Sequence, residues 1–265
     1  MRNLCYDKIV FFDIDGTLFY SGIGIPHSAK EALKQLFANG HKAVMCTGRS
    51  RGMIPESYFH MGFHGMILGA GAYVEYEGKV LRDDLMSGQE VRKVIDWGRK
   101  QEIGIILEGK NDGYYDADNH QTYYTDMVRR TERDCEVKLK SLSEAEAVQK
   151  WTYHHLDPER KYEIEDILKG KYIGTFHEPA NSVEFLPKGI QKAKGIEWIL
   201  EHTGLSWEDT YAFGDSANDI DMIRYVHYGT AMGNAVPELK EAADYVTERA
   251  DRDGIALGLE HFGLI

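Results

Sequence analysis

Two aspartates separated by one residue follow an apolar run in Phe11-Phe12-Asp13-Ile14-Asp15-Gly16-Thr17-Leu18. Ile9 to Phe12 reads as a buried strand, and residues two apart on a strand share a face, so Asp13 and Asp15 begin on one side. Gly16 lets the backbone turn away sharply. The carboxylates then stand at the C-terminal edge of a sheet, where open α/β folds hold their ligands. Such a pair either repels itself or holds a divalent cation.

Other predicted strand ends carry matching chemistry. Lys42 to Cys46 runs into Thr47-Gly48-Arg49, and Tyr211 to Phe213 runs into Gly214-Asp215-Ser216-Ala217-Asn218-Asp219. A carboxylate that attacks phosphorus gives an aspartyl-phosphate. That transfer needs in-line geometry and charge neutralisation on the equatorial oxygens. Magnesium suits carboxylate and carbonyl oxygens together with phosphate. Asp13 can serve as nucleophile and ligand, with Asp215 as the second carboxylate. Asp15 can protonate the leaving oxygen and later activate water. Thr47 and the Gly48 amide can hold phosphate, and a lysine can supply fixed positive charge. A calcium loop fits poorly, since it needs Gly at its sixth and Glu at its twelfth position. From Asp13 those positions hold Leu18 and Gly24, and from Asp116 they hold Gln121 and Met127. His154-His155 lacks Cys or His partners at zinc spacing.

With Lys192 added, these motifs resemble the haloacid dehalogenase superfamily of aspartate-nucleophile phosphatases. More narrowly the chain is similar to the Cof-type, sugar-phosphatase-like branch with a C2B cap, through Val183-Glu184-Phe185-Leu186-Pro187-Lys188-Gly189, Asp219-Ile220-Asp221-Met222-Ile223 and Ala231-Met232-Gly233-Asn234-Ala235. The resemblance implies Asp13 as nucleophile, Asp15 as general acid and base, and Thr47, Gly48, Lys192 and Asn218 as phosphate contacts. It also implies Mg2+ held by Asp13, the Asp15 carbonyl and Asp215, with Asp219 supporting. The family's Lys-Gly reads Lys192-Ala193 here, with Lys194-Gly195 two residues on, so Lys194 is the alternative to the preferred Lys192. Gly69-Ala70-Gly71-Ala72 stands where Asn-Gly-Ala is usual, so a polar contact near the leaving group is either missing or supplied by the cap.

The elements that must position these residues follow an α/β rhythm. A capping box at Ser28-Ala29-Lys30-Glu31 opens a helix stopped by Gly40, and the strand, helix, strand order implies a parallel sheet. Glu77-Gly78 reads as a hairpin turn. From Asp83 the pattern becomes α+β, with capping boxes at Ser87 to Glu90 and Ser143 to Glu146. Tyr114, Tyr115, Tyr123 and Tyr124 pack this segment or line a pocket, packing being the preferred reading. The expected architecture is a Rossmann-like parallel-sheet core from residues 1–82 and 187–265, with an inserted α+β cap over 83–186.

Composition bounds the partners. The chain has 265 residues, 43% hydrophobic and 28% charged, with a net charge of −12. That excess of acid argues against nucleic acid and anionic membrane, whose phosphates draw on Lys and Arg. The uncharged stretch Met61 to Val74 is shorter than the ~20 residues that span a bilayer as a helix. Three scattered cysteines, Cys5, Cys46 and Cys135, suggest a reducing compartment. No cationic start with a following apolar run opens the chain, so a cytoplasmic location is expected. The expected function is Mg-dependent hydrolysis of small phosphorylated metabolites, sugar phosphates foremost. The alternatives are a hexose phosphate phosphomutase on the same fold and a non-catalytic metabolite- or phosphate-binding protein.

Overall fold

Ile9–Phe12 forms a strand that is wholly buried at every residue. A continuous apolar run of this kind suits a parallel sheet covered on both faces. It pairs in parallel with Lys42–Cys46 on one side and Thr210–Gly214 on the other. The computed structural model describes residues 8–265, so Cys5 lies outside the described residues.

The chain divides into two compact units, one formed by residues 1–48, 62–81 and 191–265 and the other by 49–61 and 82–190. The first is built on a sheet that is eight-stranded among the described residues. Its order is Tyr245–Val246, Tyr228–Ala231, Thr210–Gly214, Ile9–Phe12, Lys42–Cys46, Gly65–Leu68, Tyr73–Tyr76 and Lys79–Asp83. The first six strands are parallel, and the turn after Leu68 reverses the chain. From Ile9–Phe12 the early strands step one way and the late strands step the other. The order therefore reverses between Ile9–Phe12 and Thr210–Gly214, the switch point at which α/β sheets bind ligands. Register levels the strand ends there. Phe12 lies beside Phe213 and Met45, so Asp13, Asp215 and Thr47 emerge at one edge.

Two local expectations shift. The first helix, His27–Ala38, starts directly after Pro26, whose fixed φ sets the entry, and Ser28 falls inside the first turn without capping it. The second box is made by Ser141 with Glu144 around a 3-10 turn, two residues earlier than Ser143. The box at Ser87 and Glu90 forms as read. Glu77 (φ 47°) and Gly78 (φ 77°) both take positive φ, the type I′ signature of a two-residue hairpin.

In the second unit a six-stranded sheet, among the described residues, runs Tyr172–His177, Ser182–Pro187, Val148–His154, Gly104–Gly109, Gly113–Tyr115 and Lys140–Ser141. Side chains alternate across it. Ile105, Leu107, Trp151, Tyr153, Val183 and Phe185 pack with Val94 and Ile164 from the helices on one face. Ile106 packs with Tyr124 and Val128 of Thr122–Cys135 on the other. Tyr114 and Tyr124 are fully buried, and the Tyr124 hydroxyl donates to Ile105 O at 2.6 Å, so both are packing residues. Residues 49–61 group with this unit, because Ser50 N donates to Glu108 Oε2 and Met53 packs with Ile106. The sequence pattern alone places them with the first.

On the Ile106 face a buried ion triad crosses three strands. Glu108 sits opposite Lys150, and Glu184 lies diagonal to it. Lys150 Nζ is 3.3 Å from Glu108 Oε1 and pairs directly with Glu184. Burial opposes the Glu184 charge, but Lys150 and His177 together outweigh it and hold the carboxyl at about 2. A carboxylate held below its ordinary 4.5 stabilises the fold above that pH and loses the contribution as pH falls toward about 2. Urea unfolding of Glu184→Gln should therefore show a deficit near pH 7, on the order of 2–3 kcal/mol, that closes toward pH 2. A deficit independent of pH would contradict the assignment.

No helix among the described residues is long and apolar enough to cross a membrane.

Candidate active site

Asp13 continues the central ladder, its N–H donating to Phe213 O at 3.0 Å, and the residue is 4% exposed. Lys192 Nζ reaches Asp13 Oδ1 at 2.6 Å and Asp219 Oδ1 at 2.5 Å. Lys192 is among the most deeply buried side chains, and Asp219 is fully buried. Lys192 opens the helix Lys192–Thr203, whose N-cap residue Gln191 makes no side-chain cap. Asp221 supplies one instead, accepting from Ala193 N at 2.9 Å. That residue thereby fixes the helix end that carries the lysine. Lys194 points elsewhere, pairing with Glu197 at the surface.

The second strand end is built around Asp215. Thr17 Oγ1 donates to Asp215 Oδ1 at 3.2 Å, which ties the turn after Asp13 to the turn after Thr210–Gly214. Gly16 makes that approach possible. Its φ is +85°, and a Cβ there would lie 2.2 Å from Asp215 Oδ2. Gly214 plays the matching part for Asp219, whose Cβ would meet an added Cβ at 2.7 Å. Asp219 Oδ2 accepts from the N–H groups of Asp215 and Ser216, both at 3.0 Å. Its two oxygens are thus occupied by Lys192 and the backbone, which suits it to hold the other groups in place.

Oxygens of Asp13, Asp215 and Asp219 lie within 4.8 Å of one another. Three carboxylates share one ammonium. Burial, reinforced by Asp219 and only partly offset by Lys192, pushes the Asp13 carboxyl well above its usual range. Burial and then Asp219 push Asp215 up to about 7. Burial works against the Lys192 charge, yet Asp13 and Asp219 hold its pKa well above the ordinary value. The site is short of positive charge, and its donors are hard oxygens. That donor set fits a divalent cation of the Mg or Ca type.

The phosphate candidates sit at the neighbouring strand end. Thr47 is 1% exposed; its N–H donates to Ile67 O at 2.8 Å and its carbonyl accepts from Ala70 N at 2.9 Å. The Gly69-Ala70-Gly71 turn, in which all three residues have positive φ, therefore clamps Thr47. A Cβ on Gly48 would lie 3.4 Å from Asn218 Nδ2, so the Asn218 amide stands beside the Thr47–Gly48 turn. Asp15 is exposed, and its carboxylate is outside the group of three. Arg49 belongs to the second unit, its guanidinium donating to the carbonyls of Met53 and Asp134, each at 3.4 Å. The sequence reading assigned no role to Asp221 or Asn234. Both stand in stretches that it singled out, but neither type nor spacing says what a lone polar residue there would hold.

A sequence family described as haloacid dehalogenase-like hydrolase matches residues 10–259. The chain belongs to this family. Over 262 residues it is 30% identical to "Putative phosphatase YkrA" of Bacillus subtilis, covering 97% of this chain and 98% of that protein. It is 28% identical over 269 residues to an HMP-PP phosphatase of Yersinia enterocolitica, covering 96% and 95%. The solved structure of the HAD subclass IIB sugar phosphatase BT4131 superposes with a TM-score of 0.78 at 30% identity, over 97% of this chain and 100% of that one. The chain is thus a Cof-type haloacid dehalogenase-like hydrolase, a Rossmann-like parallel-sheet core with an inserted α+β cap of the IIB type. Its enzyme class is that of the phosphoric monoester hydrolases.

Proposed function

We propose that this haloacid dehalogenase-like hydrolase is a Mg2+-dependent phosphatase of small phosphorylated metabolites, with sugar phosphates as the leading class. The observation that carries the reading is Asp13, buried between Lys192 and two further carboxylates at the sheet's switch point. Asp13 Oδ attacks phosphorus as the bond to the leaving oxygen breaks, and Asp15 gives that oxygen its proton. Water then cleaves the aspartyl-phosphate, losing its proton to Asp15. Lys192 holds the Asp13 carboxylate in one orientation throughout. Thr47, the Gly48 amide, Lys192 and Asn218 bind the phosphoryl oxygens. Asp13, the Asp15 carbonyl and Asp215 would hold Mg2+, with Asp219 supporting them. The ion supplies positive charge against the transferring phosphoryl group.

The sugar-phosphate preference rests on the likeness to BT4131. The HMP-PP phosphatase relative adds HMP-PP to the candidates. We assign residues 49–61 and 82–190 as the cap that selects the substrate. The acidic balance disfavours nucleic acid as substrate. The cysteine usage supports a cytoplasmic location.

The test is a phosphate-release screen of sugar phosphates, HMP-PP and nucleotides, with MgCl2 and with EDTA. The expected result is release from at least one class that EDTA abolishes. Absence of release from every class would overturn the reading. Isomerisation of a hexose 1-phosphate without release would favour the mutase instead.

A further inference from the structure

Asn234 is remote in sequence from both strand ends it touches. Its Nδ2 donates to Gly16 O at 2.8 Å and lies 3.5 Å from Asp215 Oδ2. Its Oδ1 accepts from Ala250 N at 3.0 Å. An amide offers two N–H donors and one carbonyl acceptor, so all three contacts can be met in one orientation. The Ala250 N–H also settles which end of the amide faces which partner, because an amino group there would oppose donor to donor.

What the contact fixes follows from peptide geometry. Gly16 N donates to Phe19 O at 2.8 Å, so with Asn234 on its carbonyl both polar groups of Gly16 are pinned. In a trans peptide the carbonyl points opposite to the following N–H. The Asp15 carbonyl is therefore turned away from Phe19, in one orientation. The same side chain steadies Asp215, one of whose oxygens is held by Thr17 while the other lies against Asn234.

We infer that Asn234 is a positioning residue for the metal site: it holds the Gly16 peptide next to the Asp15 carbonyl and steadies the Asp215 carboxylate, two groups that would join the Asp13 carboxylate around Mg2+. This inference rests on the metal reading given under Proposed function. Groups that orient metal ligands typically influence affinity by about 10- to 100-fold. The plainer reading is that Asn234 only closes the turn at Gly233, a part shared by Lys240, whose Nζ donates to Gly233 O at 2.7 Å.

The test is calorimetric titration of the full chain with MgCl2 alone, beside thermal unfolding in EDTA. Asn234→Ala should bind Mg2+ at least about tenfold more weakly than wild type. Asn234→Ser, which cannot span Gly16 and Ala250, should behave likewise and serves if the alanine variant does not fold. Lys240→Ala should leave the affinity unchanged, even if its unfolding midpoint in EDTA drops. Unaltered Mg2+ binding by the Asn234 variants would overturn the inference alone, as would an equal loss in Lys240→Ala. Absence of Mg2+ binding by the wild type would overturn the metal reading and the inference with it.

Discussion

Asp13→Asn is expected to abolish turnover without unfolding the protein. The amide keeps the shape of the carboxylate and its acceptor oxygen for Lys192, but it cannot attack phosphorus. A loss of at least about 10³-fold in kcat is expected, as for other residues that form the covalent intermediate. Stability should not fall with it. The ionised Asp13 side chain is disfavoured in the apo site by burial and by Asp219, an opposition that Lys192 only partly offsets. Removing its charge therefore relieves as much as it loses. Thermal unfolding in EDTA should give a midpoint no lower than wild type, while stabilisation by added Mg2+ should shrink. A variant that retained turnover within about tenfold of wild type would remove Asp13 from the role of nucleophile.

Lys192→Ala should damage both activity and fold. Its ammonium is the positive charge between Asp13 and Asp219, and the residue is 1% exposed. Removing one partner of a buried ion cluster leaves uncompensated charge, a cost of about 3–5 kcal/mol. Urea unfolding in EDTA at pH 7 should show that loss, together with a sharp fall in phosphate release. Lys194→Ala is the matched control two residues away. Its partner Glu197 is at the surface, and neither stability nor turnover should change measurably. Equal effects of the two substitutions would contradict the geometry.

The site's strand-end residues were legible because each stands at a fixed offset from an apolar run. Asp13 after Phe12 and Asp215 after Phe213 needed only the rule that parallel strands end level at one edge. The choice between Lys192 and Lys194 was not legible from their two-residue spacing. A helix turns ~100° per residue, so such neighbours face different ways and only packing decides which is inside. The grouping of residues 49–61 also escaped, since their partners Glu108 and Ile106 lie more than fifty positions away. Ser28 had the capping composition, but Pro26 fixed the entry two residues too early for it to act. Asn234 escaped for the same reason as the 49–61 segment: its partners Gly16 and Ala250 come from opposite ends of the chain.

Covalent phosphate on Asp13 is the most direct measure of the mechanism. The enzyme would be mixed with MgCl2 and an excess of the best substrate from the screen, quenched in acid during turnover, digested and analysed by mass. Wild type is expected to carry one phosphoryl group on the peptide containing Asp13, and Asp13→Asn none. Turnover with no phosphoryl group on that peptide, or with one placed on another residue, would contradict the assignment of Asp13 as the nucleophile.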